Sequence, residues 1–196
     1  MARPSQNIDK KLIEVGKQKI LESGIAGVNI RSICLDYGIN LGMFHYYFKT
    51  KENFTNILLK TLSDDLINYM IKESEGLANS REKLKKVLMI NAKMMYERKS
   101  IIENLIKDID SFGDTYVKTL KEIQLKLLNF FMKITEDCKN EGFLDGNIQI
   151  EIIYSLIAGS FMHFVRLRRD VSNADEKTFY EKVESFFDIM MEKLKQ

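Results

Sequence analysis

The sequence is poor in the residues that interrupt regular secondary structure. It has one proline, Pro4, and 10 glycines in 196 residues. Proteins built from many short strands need frequent turns, and turns are rich in proline and glycine. Long helices need few turns, so this composition favours an all-α fold.

Cysteine, histidine and long apolar segments are scarce as well. The two cysteines, Cys34 and Cys138, are far apart in the sequence, and the only histidines are His45 and His163. They form neither a CxxC redox pair nor a local set of zinc ligands, so no metal site is predicted. No run approaches 18 consecutive apolar residues, and the N-terminus lacks an apolar signal segment. We therefore expect a cytoplasmic protein without a membrane span.

Charge is nearly balanced overall but unevenly distributed. The formal net charge is +2, of which residues 1–52 carry +3 and the remainder −1. A compact basic segment beside a neutral body suggests that this segment binds a polyanion. A solvated helix face rich in lysine would have the same composition, so the charge alone does not decide between the two.

Apolar residues recur at helical spacing through most of the chain, and small polar residues or glycines stand where the stripes end. The predicted N-caps of the second, third and fourth helices are Asn29, Asn40 and Thr50. Two later helices are predicted to be capped by Ser80 and Asn147. Asn173 with Glu176 resembles a capping box. The pattern predicts about nine helices, at 8–23, 30–36, 41–47, 51–75, 81–98, 101–110, 114–141, 148–169 and 174–195.

The most informative segment is VNIRSICLDYGINLGMFHYYF, from Val28 to Phe48. It predicts two short helices joined by a turn at Gly38, the geometry that places a second helix in the major groove of DNA. Gly42 would let the backbone approach DNA closely, and Tyr47 and Lys51 suit phosphate contacts. The small core expected to fix the helix crossing consists of Ile30, Ile33, Ile39 and Phe44. The predicted DNA-contacting residues are Arg31, Asn40, Leu41, Gly42, Met43, His45, Tyr46, Tyr47 and Lys51.

The stretch GINLGMFHYYFKTKENF resembles the signature of the TetR family of bacterial transcriptional regulators. Asn40 stands at the family's small polar cap, Gly42 at its glycine, Tyr47-Phe48 at its aromatic pair, and Lys49-Thr50-Lys51-Glu52 at the entry to a long helix. The resemblance covers residues 8–54 and beyond them rests on length and helical pattern. The family often has tyrosine where this chain has His45, and lysine, arginine or a small polar residue where it has Leu41.

This resemblance implies a two-domain, homodimeric DNA-binding regulator. Residues 1–50 would form a three-helix helix-turn-helix domain, and residues 51–196 an effector-binding and dimerisation domain. The family default is a repressor that leaves its operator when a small, mainly apolar effector binds, and no cofactor is implied. The expected effector-binding residues are Met94, Met95, Phe112, Tyr116, Phe131, Tyr154 and Met162, although such side chains are mostly core residues in any helical protein.

The resemblance also implies that the last two helices form a four-helix interface with the same helices of a second subunit. Small residues at 155–160 would permit close helix approach, and an apolar stripe follows on the terminal helix. The alternative is that this stripe packs only within its own subunit. The expected interface residues are Ser155, Ala158, Gly159, Phe179, Val183, Phe186, Phe187 and Met190.

Two other functions compete with this interpretation. Leu41 and His45 depart from the family's pattern, which leaves open a helical ligand-binding or scaffold protein that has lost DNA binding. A helical enzyme is the other alternative, but the sequence contains no Walker A, GxGxxG or GxSxG motif. We therefore predict a protein that is not an enzyme.

Overall fold

The computed structural model describes residues 7–97, 114–171 and 175–195. All regular elements in these ranges are α-helices, which confirms the predicted all-α class. The predicted helix at 101–110 lies outside the described residues. The eight helices are α1 (Ile8–Ser23), α2 (Ile30–Asp36), α3 (Leu41–Phe48), α4 (Lys51–Ser74), α5 (Ser80–Glu97), α6 (Asp114–Asn140), α7 (Ile150–Val171) and α8 (Glu176–Lys193).

The predicted caps of the first helices are present. The side-chain oxygen of Asn29 accepts the backbone N–H of Ser32 at 3.1 Å, and that of Asn40 accepts the N–H of Gly42 at 2.7 Å. Thr50 Oγ1 accepts the N–H of Asn53 at 3.1 Å and so caps α4. These short-range signals are readable from sequence because the donor lies two or three residues after the acceptor.

The later helix starts differ from the prediction. Asn79, not Ser80, caps α5, because its Oδ1 accepts the N–H of Glu82 at 2.9 Å. Helix α7 begins at Ile150, after a turn that contains Asn147. Helix α8 is capped by Asp175, whose carboxylate accepts the N–H of Thr178 at 3.0 Å, whereas Asn173 lies outside the described residues. Several neighbouring polar residues can cap a helix, and packing selects which of them does.

The chain divides into two compact units. Of the described residues, the first contains 7–65 and 114–123, and the second contains 66–97, 124–171 and 175–195. The boundary falls within α4 and within α6. The sequence predicts a functional division at residue 50, between a DNA-binding domain and an effector-binding and dimerisation domain. This division stays a prediction.

The first unit packs α1, α2 and α3 around aromatic residues of α3 and α4. Phe44 and Phe48 are buried, with ring centroids 5.2 Å and 4.6 Å from that of Phe54. Ile33 is buried as well, as the predicted helix-turn-helix core requires, while Ile30 and Ile39 are half-buried against the same cluster. These contacts hold α3 in place and leave its opposite face outside the core.

Helix α1 approaches α4 at a glycine. A Cβ placed on Gly16 would lie 2.6 Å from Cδ1 of Leu58 and 2.7 Å from Cζ of Phe54. Only a residue without a side chain fits between these groups. The next residue, Lys17, pairs with Glu14 at 2.8 Å and with Asp65 at 2.6 Å.

The second unit packs α5, α7 and α8 against one another. Its polar edge is held by Arg81 and Lys85 of α5, which pair with Asp188 of α8 at 2.6 Å and 3.1 Å. The buried apolar side chains of these three helices are Leu84, Val87, Leu88, Ile90, Ala92, Ile153, Ile157, Phe161, Val165, Phe179, Val183, Phe187, Met190 and Met191.

Helix α7 is more apolar than the sequence analysis assumed. Residues 150–167 have a mean hydropathy of 1.4, which makes this stretch long and apolar enough to cross a membrane by length and composition. The lack of an unbroken apolar run therefore did not exclude a span, because a hydropathy window tolerates charges such as Glu151 and Arg166. One such helix is weak evidence for a membrane protein, because core helices of soluble proteins pass the same test.

Candidate nucleic-acid interface

Helix α3 presents one continuous face outside the core. Residues 41, 42, 45, 46 and 49 are exposed, while Phe44 and Phe48 are buried on the opposite side. Leu41 is 36% exposed and Tyr46 63%. Of the other predicted contact residues on this helix, Met43 and Tyr47 are half-buried. The spacing of the exposed residues follows the helical period, so they form a single surface.

The N-terminal end of this face is arranged by Asn40 and Gly42. The Asn40 side-chain oxygen is occupied by the N–H of Gly42. A Cβ added to Gly42 would meet only this oxygen, at 3.1 Å. Gly42 is therefore not needed for packing within the chain, and the space above it is open to a partner.

The C-terminal end of α3 is closed by a strained turn. Lys49 has φ 65° and ψ −58°, and the N–H of Thr50 donates to the carbonyl oxygen of Phe48 at 2.7 Å. This is the geometry of the classic γ-turn, which is rare for a residue with a side chain. Asn53 Nδ2 also donates to the Phe48 carbonyl, at 3.0 Å.

His45 braces the same turn from the exposed face. Its Nδ1 lies 3.0 Å from the carbonyl oxygen of Lys49. A carbonyl only accepts hydrogen bonds, so Nδ1 carries the proton of this bond. In the neutral ring, Nε2 is then a hydrogen-bond acceptor. The sequence predicts a break between the two helices here, with Thr50 as the cap of the second, but nothing in it indicates the positive φ of Lys49.

The first unit contains exposed cations without carboxylate partners. Lys17 and Lys19 form ion pairs within the unit. Lys10, Lys11, Arg31, Lys49 and Lys51 are exposed, and the described part of the chain pairs none of them with a carboxylate. Two of these lysines lie over tyrosine rings, Lys11 over Tyr37 at 5.4 Å and Lys49 over Tyr46 at 5.7 Å. The positive charge of the N-terminal segment is thus available to an anionic partner.

The same arrangement of helices occurs in solved regulator structures. A TetR-family transcriptional regulator from Mesorhizobium loti has 12% identity and a TM-score of 0.73, with 98% of this chain and 97% of that chain covered. The regulator FadR of Bacillus subtilis, solved with stearoyl-CoA, has 17% identity and a TM-score of 0.68, with 93% and 97% covered. A transcriptional regulator from Saccharomonospora viridis, solved with choline, has 10% identity and a TM-score of 0.73, with 94% and 95% covered.

The chain has the fold of TetR-family transcriptional regulators. No protein-family model and no curated protein matches the sequence. The likeness therefore resides in the three-dimensional arrangement of the helices, and it extends over both units of the chain.

Within this TetR fold, the predicted effector-binding residues that the structure describes are divided between the two units. Tyr116 is buried in the core of the first unit. Phe131 belongs to the core cluster of the second unit, and Met95 and Tyr154 are half-buried against it; burial raises the pKa of the Tyr154 hydroxyl. Met94 and Met162 are half-buried, and Phe112 lies outside the described residues. Sequence alone could not separate pocket-lining residues from core residues, because both are apolar residues at helical spacing.

A cleft in the second unit has a different lining from the predicted pocket. Its volume is about 750 Å³, it is open to solvent, and none of the predicted effector-binding residues lines it. The lining residues are Arg81, Phe143, Ser185, Asp188, Ile189, Met191, Glu192 and Lys195. The described residues also contain no group of three or more metal-binding side chains.

The apolar stripe predicted to form the dimer interface lies mainly in the core. Phe179, Val183, Phe187 and Met190 are buried within the second unit, as the intramolecular alternative requires, so these side chains do not offer a surface to a second copy. Phe186 is half-buried and stacks on Phe164 at a centroid distance of 4.3 Å.

Other residues of the same two helices are exposed. On α7, Ser155 and Gly159 are exposed and Ala158 is half-buried. Beside them, Ile152 is 50% exposed and Leu156 47%, and on α8 Ile189 is 56% exposed. The predicted interface residues of α7 are thus exposed or half-buried, whereas most of those predicted on α8 are buried, and the interface itself stays a prediction.

Proposed function

We propose that this chain is a dimeric DNA-binding transcriptional regulator, a repressor that leaves its operator when a small, mainly apolar effector binds. The observation that carries the proposal is the exposed face of α3, which is flanked by unpaired cations in a chain with the TetR fold. Residues 1–50 would bind DNA, and residues 51–196 would dimerise and bind the effector. A cytoplasmic location follows from this function.

DNA binding is supported by the shape and charge of the first unit. The aromatic core holds α3 rigidly and leaves its outer face free to enter the major groove. Gly42 has open space above it, so the helix backbone can come close to the bases. Lys49 and Lys51 follow at the end of the helix, where they can contact phosphates without reading sequence.

Dimerisation is supported by the exposed apolar residues Ile152 and Leu156 of α7 and Ile189 of α8, and by the small residues Ser155 and Gly159 that lie at helical spacing beside the first two. A large exposed apolar patch on a soluble protein marks an interaction site. A second copy is the natural occupant because an isologous contact would cover both patches at once and place two recognition helices on one DNA. Small side chains let the paired helices approach closely.

The effector is proposed to bind among the helices within 81–170. Methionine and aromatic side chains of α5, α6 and α7 adapt to apolar molecules. The effector would bind tightest to an arrangement of the dimer whose recognition helices no longer match successive major grooves. By linkage, DNA and effector must then weaken each other's binding by the same factor, with a coupling of typically about 1–3 kcal/mol.

The proposed function is tested by selecting DNA from a random pool with the full chain. The affinity of the enriched sequence is then measured by fluorescence anisotropy at several salt concentrations. We expect one palindromic sequence, with an affinity that falls steeply as salt rises. The Gly42→Val variant is the matched control, which should stay folded and lose the selected sequence. Folded protein that enriches no sequence would refute the proposal and favour the ligand-binding or scaffold alternative.

The effector is tested by thermal shift followed by competition. Acyl-CoA thioesters and fatty acids are the first probes because FadR of Bacillus subtilis was solved with stearoyl-CoA. A ligand of the folded state should raise the melting temperature and, added to the protein–DNA complex, release the DNA. Compounds that stabilise the protein without changing its affinity for DNA would refute a regulatory role for that site.

A further inference from the structure

The face of α3 has few groups that can read bases by hydrogen bonds. The helix sequence is LGMFHYYF, so apart from Lys49, which is assigned to phosphate contacts, the face contains no arginine, lysine, glutamine, aspartate or glutamate. Those residues make most specific contacts to guanine, adenine and cytosine in the major groove. The readout of the proposed operator must therefore depend strongly on other contacts.

Two nearby polar side chains already form hydrogen bonds within the chain. The side-chain oxygen of Asn40 accepts the N–H of Gly42 at 2.7 Å, and this bond fixes the orientation of the amide that asparagine would otherwise turn toward adenine. One ring nitrogen of His45 is held by the Lys49 carbonyl at 3.0 Å. Leu41 is the first residue of the helix, and its apolar side chain forms no hydrogen bond.

We propose that Leu41 recognises the C5-methyl group of a thymine in each half-site of the operator. This inference rests on the proposed DNA-binding function. Side chains in a helix lean toward its N-terminus, so a residue at the first position extends beyond the helix end. Leu41 is exposed, and the neighbouring Gly42 has no side chain to hold the helix away from the groove.

The chemistry of leucine makes this contact selective for one base. Of the groups in the major groove, only the thymine methyl is apolar, and apolar side chains contact it. Cytosine in the same place has no methyl group and presents an amine that leucine cannot satisfy. A leucine at position 41 thus distinguishes thymine from cytosine, a distinction usually made by hydrogen bonds.

The test replaces thymine by uracil, one position at a time, in the DNA sequence that the chain selects. This change removes the methyl group and leaves base pairing intact. We expect one thymine per half-site at which the replacement lowers affinity about fourfold, the effect of one buried methyl group. Replacement in both half-sites should lower affinity about fifteenfold. A 5-methylcytosine–guanine pair there should bind more tightly than a cytosine–guanine pair.

Two variants assign the effect to Leu41. In Leu41→Ala, the uracil replacement should have no further effect, whereas in Leu35→Ala it should remain about fourfold, because Leu35 is an exposed leucine of α2 outside the α3 face. Circular dichroism verifies that both variants are folded. Selected DNA that is insensitive to uracil, or a uracil effect that persists in Leu41→Ala, would overturn the inference alone. A chain that selects no DNA would refute the proposed function as well.

Discussion

Two glycines of the first unit should respond to the same substitution in opposite ways. Gly16 lies in α1 against α4, and Gly42 lies on the exposed face of α3. We predict that Gly16→Val lowers stability, while Gly42→Val lowers DNA affinity and leaves stability nearly unchanged. The pair separates the packing of the first unit from its contact with DNA.

The cost at Gly16 follows from the space available. A Cβ there would lie 2.6 Å and 2.9 Å from the two methyl carbons of Leu58 and 2.7 Å from Phe54. Ordinary contacts are about 1 Å longer, and overpacking of a core typically costs about 1–3 kcal/mol. Valine adds two further methyl groups, whereas its better helix propensity returns only about 0.5 kcal/mol. We expect the free energy of unfolding to fall by about 2–3 kcal/mol.

The cost at Gly42 has another origin. The added Cβ meets only the Asn40 side-chain oxygen, at 3.1 Å, which requires a small adjustment. An exposed change of this kind alters stability by about 0.5 kcal/mol or less. In the DNA complex, however, valine would separate the helix from the bases. Affinity should fall toward the non-specific level, by about a hundredfold or more.

Urea unfolding monitored by circular dichroism measures the first effect, and fluorescence anisotropy with the selected DNA measures the second. Both variants should keep the m-value of the parent protein, since the surface exposed on unfolding is unchanged. A Gly42→Val protein that binds with parental affinity would remove α3 from the interface. A Gly16→Val protein as stable as the parent would show that α1 and α4 do not pack as closely as described.

Three further predictions address phosphate contacts, dimerisation and pH. Lys51→Ala and Tyr47→Phe should weaken binding to all DNA sequences alike, and Lys51→Ala should reduce the salt slope by about one per half-site; a changed base preference would contradict the phosphate assignment. Leu156→Asp and Ile189→Asp should give folded monomers by light scattering, and persistence of the dimer would place the interface elsewhere. Hydrogen bonds from the backbone N–H and hydroxyl of Thr178 lower the pKa of Asp175. Its stabilising effect is therefore present above the ordinary aspartate pKa and is lost as pH falls below about 4. Asp175→Asn keeps a cap, so its melting temperature should fall less over that range, and an equal fall in both proteins would refute this source of acid sensitivity.

Local features of the chain could be predicted from sequence because they depend on neighbouring residues. Gly38 and Gly142 take φ values of 64° and 77°, as expected of residues that end helices. Asn29 and Asn40 cap helices because each supplies an acceptor two or three residues before a free N–H. The helix-turn-helix segment was recognisable for the same reason, since its turn and its buried Ile33 and Phe44 lie within a short stretch.

The surfaces of the last two helices depended on packing between distant segments. Helical periodicity shows that residues on a stripe share a face, but it does not show what covers that face. In α8, the stripe of Phe179, Val183 and Phe187 packs within its own unit, and Ile189 remains exposed. Both the buried stripe and Ile189 are visible in the sequence as apolar residues of one helix. Only their position relative to α5 and α7 showed which of them lie in the core and which on the surface.

The sequence by itself determined the helical class, several helix ends and the outline of the helix-turn-helix segment. Each of these depends on backbone conformation and hydrogen bonds over a few residues. Tertiary structure alone decided that Tyr116 belongs to the core of the first unit and that Gly16 lies against Leu58 and Phe54 of α4. These features arise where residues far apart in sequence compete for the same space, and local propensity carries no information about that competition.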